Sequence, residues 1–182
     1  LFDKRFMYEE SLRMPFLVRW PDGIKARTRT DAMALNVDFA PTFLETAGVK
    51  APGDMQGRSL VPVLRGRTPS DWRTSMYYRY YHDPGDHNTR AHYGVRTRTH
   101  KLIYFWTKDQ WELFDLVNDP SELHNLYGEP GQHDLTAALK GELARLKREM
   151  QDDDRGANEQ LPNGVDGPVA RLNLTTDLPK TV

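Results

Sequence analysis

The 182-residue sequence contains no cysteine, which excludes disulfides, thiolate metal sites and a cysteine nucleophile from this stretch. It also lacks any apolar run near the roughly 20 residues needed to cross a bilayer. With 38% hydrophobic residues and a mean hydropathy of -0.73 it is polar on average. A dominant charge is missing too. Its 25 basic and 26 acidic residues leave a formal net charge of -1, so no global field draws nucleic acid or an anionic membrane surface. No internal repeat is present. At this length a compact chain buries about 70% of its unfolded surface, enough for one domain or for one domain and a piece of another.

The first stretch, LFDKRFMYEESLRMPFLVRWP, opens without an initiator Met or a signal peptide and is dense in charged and aromatic residues. Lys4 precedes the helix-capable run 5–12, and Pro15 ends that run. The apolar residues 16–20, bounded by Pro15 and by Pro21-Asp22-Gly23, predict a short buried strand followed by a turn. Over 36–48, Val37, Ala40, Phe43, Leu44 and Ala47 recur at helical spacing, with Asn36 or Asp38 as the cap and Gly48 as the stop.

Residues 68–73, TPSDWR, form a polar hinge, after which the composition turns aromatic and β-rich. Residues 76–81, 93–98, 101–106 and 112–116 predict four strands pairing as an antiparallel sheet, with Thr99-His100 as a hairpin connection. A helix over 134–150 carries Leu135, Leu139, Leu143, Leu146 and Met150 on one face, which suits packing on the sheet. Residues 151–182 are rich in Asp, Gly, Asn and Pro and predict an irregular tail with at most a short strand over 169–174. Tyr104, Phe105, Trp106, Trp111 and Phe114 read as core between sheet and helix, with sugar stacking as the alternative. His82, His87 and His92 are spaced by five, but the Pro84-Gly85 break gives them no common face, so no metal ligand is assigned.

Several gapped motifs recur in one order along the chain. The K-x-x-x-Y-E-E-S-x-R-x-P segment from Lys4 and the following F-L-V-R-W-P-D-G resemble the stretch that sulfatases carry just after their last metal-binding Asp-His or Asp-Asn motif. Asp38, Pro41-Thr42, Leu44 and Ala47-Gly48, followed by Gln56-Gly57-Arg58-Ser59-Leu60 with Pro62, Leu64 and Gly66, are similar to the sulfatase D-x-x-P-T-x-L-x-x-A-G and Q-G-x-S-L-x-P-x-L-x-G pair. Gly94-Val95-Arg96-Thr97 with Lys101-Leu102-Ile103, and residues 111–126, WELFDLVNDPSELHNL, resemble the small C-terminal domain of that family. The resemblance spans about residues 1–151. It implies the α/β end of an alkaline-phosphatase-like domain over 1–67, a small α+β domain of four-stranded antiparallel sheet plus C-terminal helix over 68–150, and the irregular tail over 151–182. The implied parent is a sulfuric ester hydrolase for a sulfated carbohydrate or another organic sulfate. The alternatives are a phosphonate or phosphodiester hydrolase of the same superfamily and a noncatalytic glycan-binding module.

By the same resemblance the parent uses formylglycine and Ca²⁺ or a similar divalent cation. Neither the C/S-x-P-x-R precursor motif nor the early Asp pair occurs in this chain, so the chain alone is expected to be inactive. Lys4 matches the lysine that contacts the substrate sulfate, a catalytic and substrate-binding role suited to a compact ammonium; from spacing alone it reads as a solvated lysine. Glu9 and Glu10 are adjacent in a helix and point in different directions, so a structural role is expected, pairing with Arg5 or Arg13 or accepting backbone hydrogen bonds. His92 is the second substrate-binding candidate, at the rim of the pocket, with an exposed strand-edge imidazole as the alternative. The long loop with Tyr81, His82, His87 and Arg90 suits a specificity rim. Arg96, Arg98, His100 and Lys101 read as solvated charge or a sulfated-glycan contact. Asn173-Leu174-Thr175 matches a glycosylation sequon. The expected partner is a sulfated small molecule or glycan, and the resemblance points to a periplasmic or secreted setting.

Overall fold

The computed structural model describes residues 4–83, 85 and 89–154; the tail strand over 169–174, the sequon at Asn173 and His87 lie outside them. The chain divides into two compact units, residues 15–76 and residues 4–14 together with the described residues from Tyr77 onward. The first residues therefore pack with the C-terminal sheet, whereas the sequence reading grouped them with the stretch up to 67.

The sheet contains β1 (Ser75–Tyr80), β2 (His92–Thr97), β3 (His100–Phe105) and β4 (Gln110–Asp115), in spatial order β1-β2-β3-β4. Each strand starts one or two residues earlier than expected, and the β2–β3 hairpin turns on Arg98-Thr99. Pairing is antiparallel, with Val95 opposite Leu102 and Leu102 opposite Leu113. Side chains alternate across the pleat, so this register gives the sheet two buried faces. On one, Val95, Leu102 and Leu113 meet Leu139, Leu143 and Leu146 of the C-terminal helix. On the other, Ile103, Phe105 and Phe114 close around Met7. Phe105 and Phe114 thus face the N-terminal segment, not the helix, while Trp111 packs on the helix side. A Cβ on Gly94 would lie 2.7 Å from the Met7 sulfur and 2.4 Å from the Leu102 carbonyl oxygen, so only glycine lets Met7 seat on β2.

The helix that covers the first face runs His133–Glu149, as its leucine stripe predicts. Its far end is pinned to β1. Arg79, with only 4% of its side chain exposed, donates to both Asp152 oxygens at 2.7 and 2.6 Å and to Asp154 at 2.7 Å, and Tyr77 donates to Asp152 as well.

The other unit, residues 15–76, is built around short helical segments. A turn of 3₁₀ helix, Asn36–Asp38, leads into a helix over Phe39–Thr46, and a single turn over Val61–Leu64 follows. The expected helix is present, but its inward face is not the apolar stripe. Asp38, Pro41 and Thr42 are buried, whereas Val37 and Phe43 are 50% and 69% exposed. Polar geometry decides this orientation. The fully buried Asp38 carboxylate takes the Arg73 guanidinium, with Nη2 at 2.7 Å, and accepts the backbone N–H groups of Leu35 at 2.8 Å and Arg58 at 2.9 Å. Thr42 donates its hydroxyl proton to the Asp38 carbonyl at 2.6 Å and accepts from the Leu60 amide at 2.8 Å. A Cβ on Gly57 would come within 1.9 Å of the Val37 carbonyl oxygen. The two gapped motifs are therefore halves of one clamp, which sets Leu60, Val63 and Trp72 as the local core.

The strand expected over 16–20 does not form. All four strands of the described residues belong to the one sheet, and with no ladder to join, Phe16–Trp20 stays irregular. Leu17 is 94% exposed, although Phe16 stacks on Phe39 with ring centroids 5.1 Å apart.

Two stability outcomes follow from this packing. Asp38→Ala strands Arg73 and two backbone donors and should cost about 3–5 kcal/mol. Leu143→Ala should cost about 2–5 kcal/mol through its cavity under the sheet. Urea unfolding of the chain checks both, and a loss below about half a kcal/mol at either position would contradict the assigned burial.

Candidate functional site

The segment that begins at Lys4 lies across the second face of the sheet. Lys4 is exposed, and each of the five residues after it is fastened. The Tyr78 hydroxyl of β1 donates to the Arg5 carbonyl at 2.6 Å. Phe6 stacks on the His92 ring at 5.6 Å, and Met7 is fully buried. Tyr8 donates its hydroxyl proton to Glu112 of β4 at 2.9 Å. Glu9 opens α1 (Glu9–Leu12), a single helical turn too short to hold itself together in water. Contacts with the sheet must therefore supply its order.

Those contacts centre on a charge network. Arg96 of β2 forks onto Glu9, with Nε at 3.1 Å and Nη2 at 2.9 Å from the two carboxylate oxygens. Lys101 of β3, directly opposite Arg96 in the register, places its ammonium 3.0 Å from Glu9 and 2.5 Å from Glu122. The Lys101 side chain has 0% exposure and that of Glu122 has 2%. The second Glu122 oxygen accepts the Glu9 backbone N–H at 2.6 Å, satisfying a donor at the start of α1.

The WELFDLVNDPSELHNL motif explains how Glu122 arrives there. Asp115 Oδ1 accepts the amides of Val117 and Asn118, and Asp119 Oδ2 accepts the His124 amide, folding the loop after β4 back on itself. Asn125 then pairs with the outer edge of β4, accepting from the Leu113 amide at 2.9 Å and donating to the Trp111 carbonyl at 3.1 Å. Between these fixed points Glu122 adopts a left-handed backbone, with φ of 54°, a strained conformation for a residue with a side chain.

The structure thus places the sequence-derived candidates unequally. Lys4 is exposed, next to the fastened residues 5–9. His92 is not on a rim: it is fully buried, with Phe6, Tyr78, Tyr80 and Phe105 rings at 5.6, 5.7, 5.8 and 5.2 Å. Its Nδ1–H donates to the Arg90 carbonyl at 2.7 Å, and Nε2 has no partner among the described residues. Glu9 has the expected structural role, but with Arg96 and Lys101 in place of Arg5 or Arg13. Lys101 and Arg96 are not solvated charge, because both face the buried carboxylates; Arg98 lies in the hairpin turn, exposed. Sequence reasoning missed Lys101, Glu122 and Tyr78, although all but Tyr78 sat in quoted motifs.

Around the 81–90 loop, Asp83 pairs with Arg90 at 2.9 Å and accepts the Thr107 hydroxyl, while Tyr81 is 46% exposed. Among the described residues no group of three or more His, Asp or Glu side chains is placed to hold a metal ion.

Two titrations should be readable in stability. Burial opposes ionisation of Glu9, but the Arg96 hydrogen bonds and the Lys101 charge outweigh it and lower its pKa to about 2. That stabilisation is complete above the ordinary carboxyl value of 4.5 and is lost as pH falls toward 2. Burial lowers the His92 pKa below 6.5, against the pull of the Arg90 carbonyl. The unfolded state then takes up a proton that the folded state refuses, so stability declines as pH drops below 6.5. Urea titrations from about pH 8 to about pH 3 should show both slopes. His92→Phe should flatten the upper one and Glu9→Gln the lower; slopes unchanged in these variants would refute the assignments.

Comparison with known proteins agrees with this architecture. The family model for the C-terminal region of N-sulphoglucosamine sulphohydrolase matches residues 1–149. An N-acetylglucosamine-6-O-sulfatase of Bacteroides thetaiotaomicron is 46% identical over 163 residues, covering 88% of this chain and 29% of that protein. Human N-acetylglucosamine-6-sulfatase is 39% identical over 79 residues, covering 43% of this chain and 14% of that protein. The solved structure of BT4656 in complex with its substrate D-glucosamine-2-N,6-O-disulfate superposes with a TM-score of 0.81 at 45% identity, over 86% of this chain and 32% of that one. The chain therefore spans about a third or less of the relatives it matches. The four-stranded antiparallel sheet with its C-terminal helix is shared with these sulfatases. On the match over 1–149, the chain belongs to the sulfatase family, as the C-terminal region typified by N-sulphoglucosamine sulphohydrolase.

Proposed function

We propose that this chain is the C-terminal portion of a sulfatase that hydrolyses a sulfate ester on a sulfated carbohydrate, with 6-O-sulfated glucosamine as the substrate class. The observation that carries this reading is the 46% identity to an N-acetylglucosamine-6-O-sulfatase across 88% of the chain. The geometry fits it: residues 5–9 are each fastened to the sheet, and the exposed Lys4 adjoins them.

In this reading Lys4 is the catalytic and substrate-binding cation. Its ammonium donates charge-assisted hydrogen bonds to sulfate oxygens and meets the negative charge that grows on them as the ester bond breaks. The nucleophile, a formylglycine, and a divalent cation are supplied by parts of the parent outside this chain. His92 acts beneath the site and not on the sugar: its ring is the surface on which Phe6 lies, two residues from Lys4.

The test is sulfate release from N-acetylglucosamine 6-sulfate by the full-length parent. Turnover is expected there and none from the 182-residue chain alone. Lys4→Ala in the parent should lower kcat by about 10²–10³ with little change in melting temperature. Turnover of a phosphonate monoester in preference to the sulfated sugar would overturn the substrate class, and wild-type kcat in Lys4→Ala would overturn the assigned cation.

A further inference from the structure

We propose that the sheet is an alignment platform for Lys4, with Tyr78 and Lys101 as positioning residues; this rests on the reading of Lys4 as the cation that meets the sulfate. Lys4 touches neither of them. Tyr78 fixes the peptide one residue along, through its 2.6 Å hydrogen bond to the Arg5 carbonyl. Lys101 fixes the start of α1 through Glu9 at 3.0 Å, and indirectly through Glu122, which takes the Glu9 amide at 2.6 Å.

Stability alone does not account for this arrangement. Burying an ammonium and two carboxylates carries a desolvation cost that apolar side chains of similar volume avoid, and replacing such a set by hydrophobes is often neutral or stabilising. Here the cost is compounded by a left-handed backbone at Glu122. What the ionic set supplies and a greasy one cannot is direction: an Arg96 fork, a Lys101 bridge and a backbone N–H acceptor admit one placement of α1, whereas apolar packing tolerates slippage. Residues 5–9 are each held, so the backbone beside Lys4 is anchored from the adjacent residue onward. Misplacement of a reacting group by about 1 Å can cost on the order of 10²-fold in rate, the scale on which such an anchor matters.

The experiment is a double-mutant cycle in the full-length parent, with N-acetylglucosamine 6-sulfate as the probe. Tyr78→Phe removes one hydroxyl and keeps the ring; Lys101→Met keeps most of the volume and removes the charge. Each is measured alone and combined with Lys4→Ala, for kcat, KM and melting temperature. Tyr78→Phe should lower kcat about tenfold with KM within about twofold of wild type, and Lys101→Met should lower kcat more. In the Lys4→Ala background both losses should shrink to within about twofold, because a group that acts by placing Lys4 has nothing left to place. A merely structural role predicts the same fold-loss with or without Lys4. Unchanged kcat in Tyr78→Phe, or a loss that persists undiminished in Lys4→Ala, overturns the platform; should Lys101→Met fail to fold, Tyr78→Phe decides. Full turnover in Lys4→Ala itself overturns the cation assignment and the platform with it, whereas loss there with additive partners overturns the platform alone.

Discussion

The ammonium of Lys101 holds the sheet unit in its observed form. It sits at a point that no water reaches, near the start of β3, on the face toward the N-terminal segment. An unpaired charge there would be intolerable, so Glu9 must come from the start of the chain and Glu122 from the loop after β4. Two sequence-distant pieces are thereby obliged to meet over the same strand. Met7 then falls over Gly94, Tyr8 reaches Glu112, and the second hydrophobic face closes. The first face needs no such device, since leucines at helical spacing meeting strand residues of period two are enough to dock the helix.

The other unit obeys the same logic with other residues. Asp38 is fully buried, and its partners converge from Leu35, Arg58 and Arg73. Its demand for partners outweighs the preference of Val37 and Phe43 for the interior, and both are left in solvent. In each unit a buried carboxylate inside a gapped motif dictates which chain segments touch. This is why those motifs have fixed spacing: the residues between are free, but the distance from Asp38 to Arg58, or from Glu112 to Glu122, must match the path the backbone takes.

Legibility in the sequence followed from locality. β1–β4 and the long helix were readable because alternation and leucine spacing are set within a few residues, and the errors were shifts of one or two positions at strand ends. The strand over 16–20 was misread because an apolar run says nothing about whether a ladder is available to it. The face of the helix over Phe39–Thr46 was misread because hydrophobic periodicity gives no weight to a buried Asp. Lys101 could have been suspected: it precedes Leu102 in β3 on a face where Ile103 and Phe105 are core, and period two places it inside. Such a lysine requires carboxylates, and the motif glutamates at 9 and 122 were available. His92 carried the opposite lesson, since its place in β2 and the aromatic company of Tyr78, Tyr80 and Phe105 argue for burial.

The aromatic richness of the second half bears on whether this region is better seen as a glycan-binding module. Trp106, Tyr93, Tyr104, Trp111 and Tyr127 form a continuous series of rings across the sheet, with successive centroids 5.7, 5.5, 4.1 and 5.8 Å apart. A sugar-stacking surface needs ring faces open to the ligand. Here cations already lie over them: Lys140 is 4.1 Å from the Trp111 centroid, Lys147 is 4.7 Å from that of Tyr93, and Arg79 is 4.7 Å from that of Trp106. Lys140 and Lys147 are seven residues apart on the helix, two turns on one side, so their stems run along the series while the leucines fill the core beside it. The aromatic series and the lysines together act as a seam between helix and sheet, each cation worth about 0.5–2 kcal/mol depending on how far it is desolvated. The rings are spent on joining helix to sheet, and their faces are taken up by the chain's own cations.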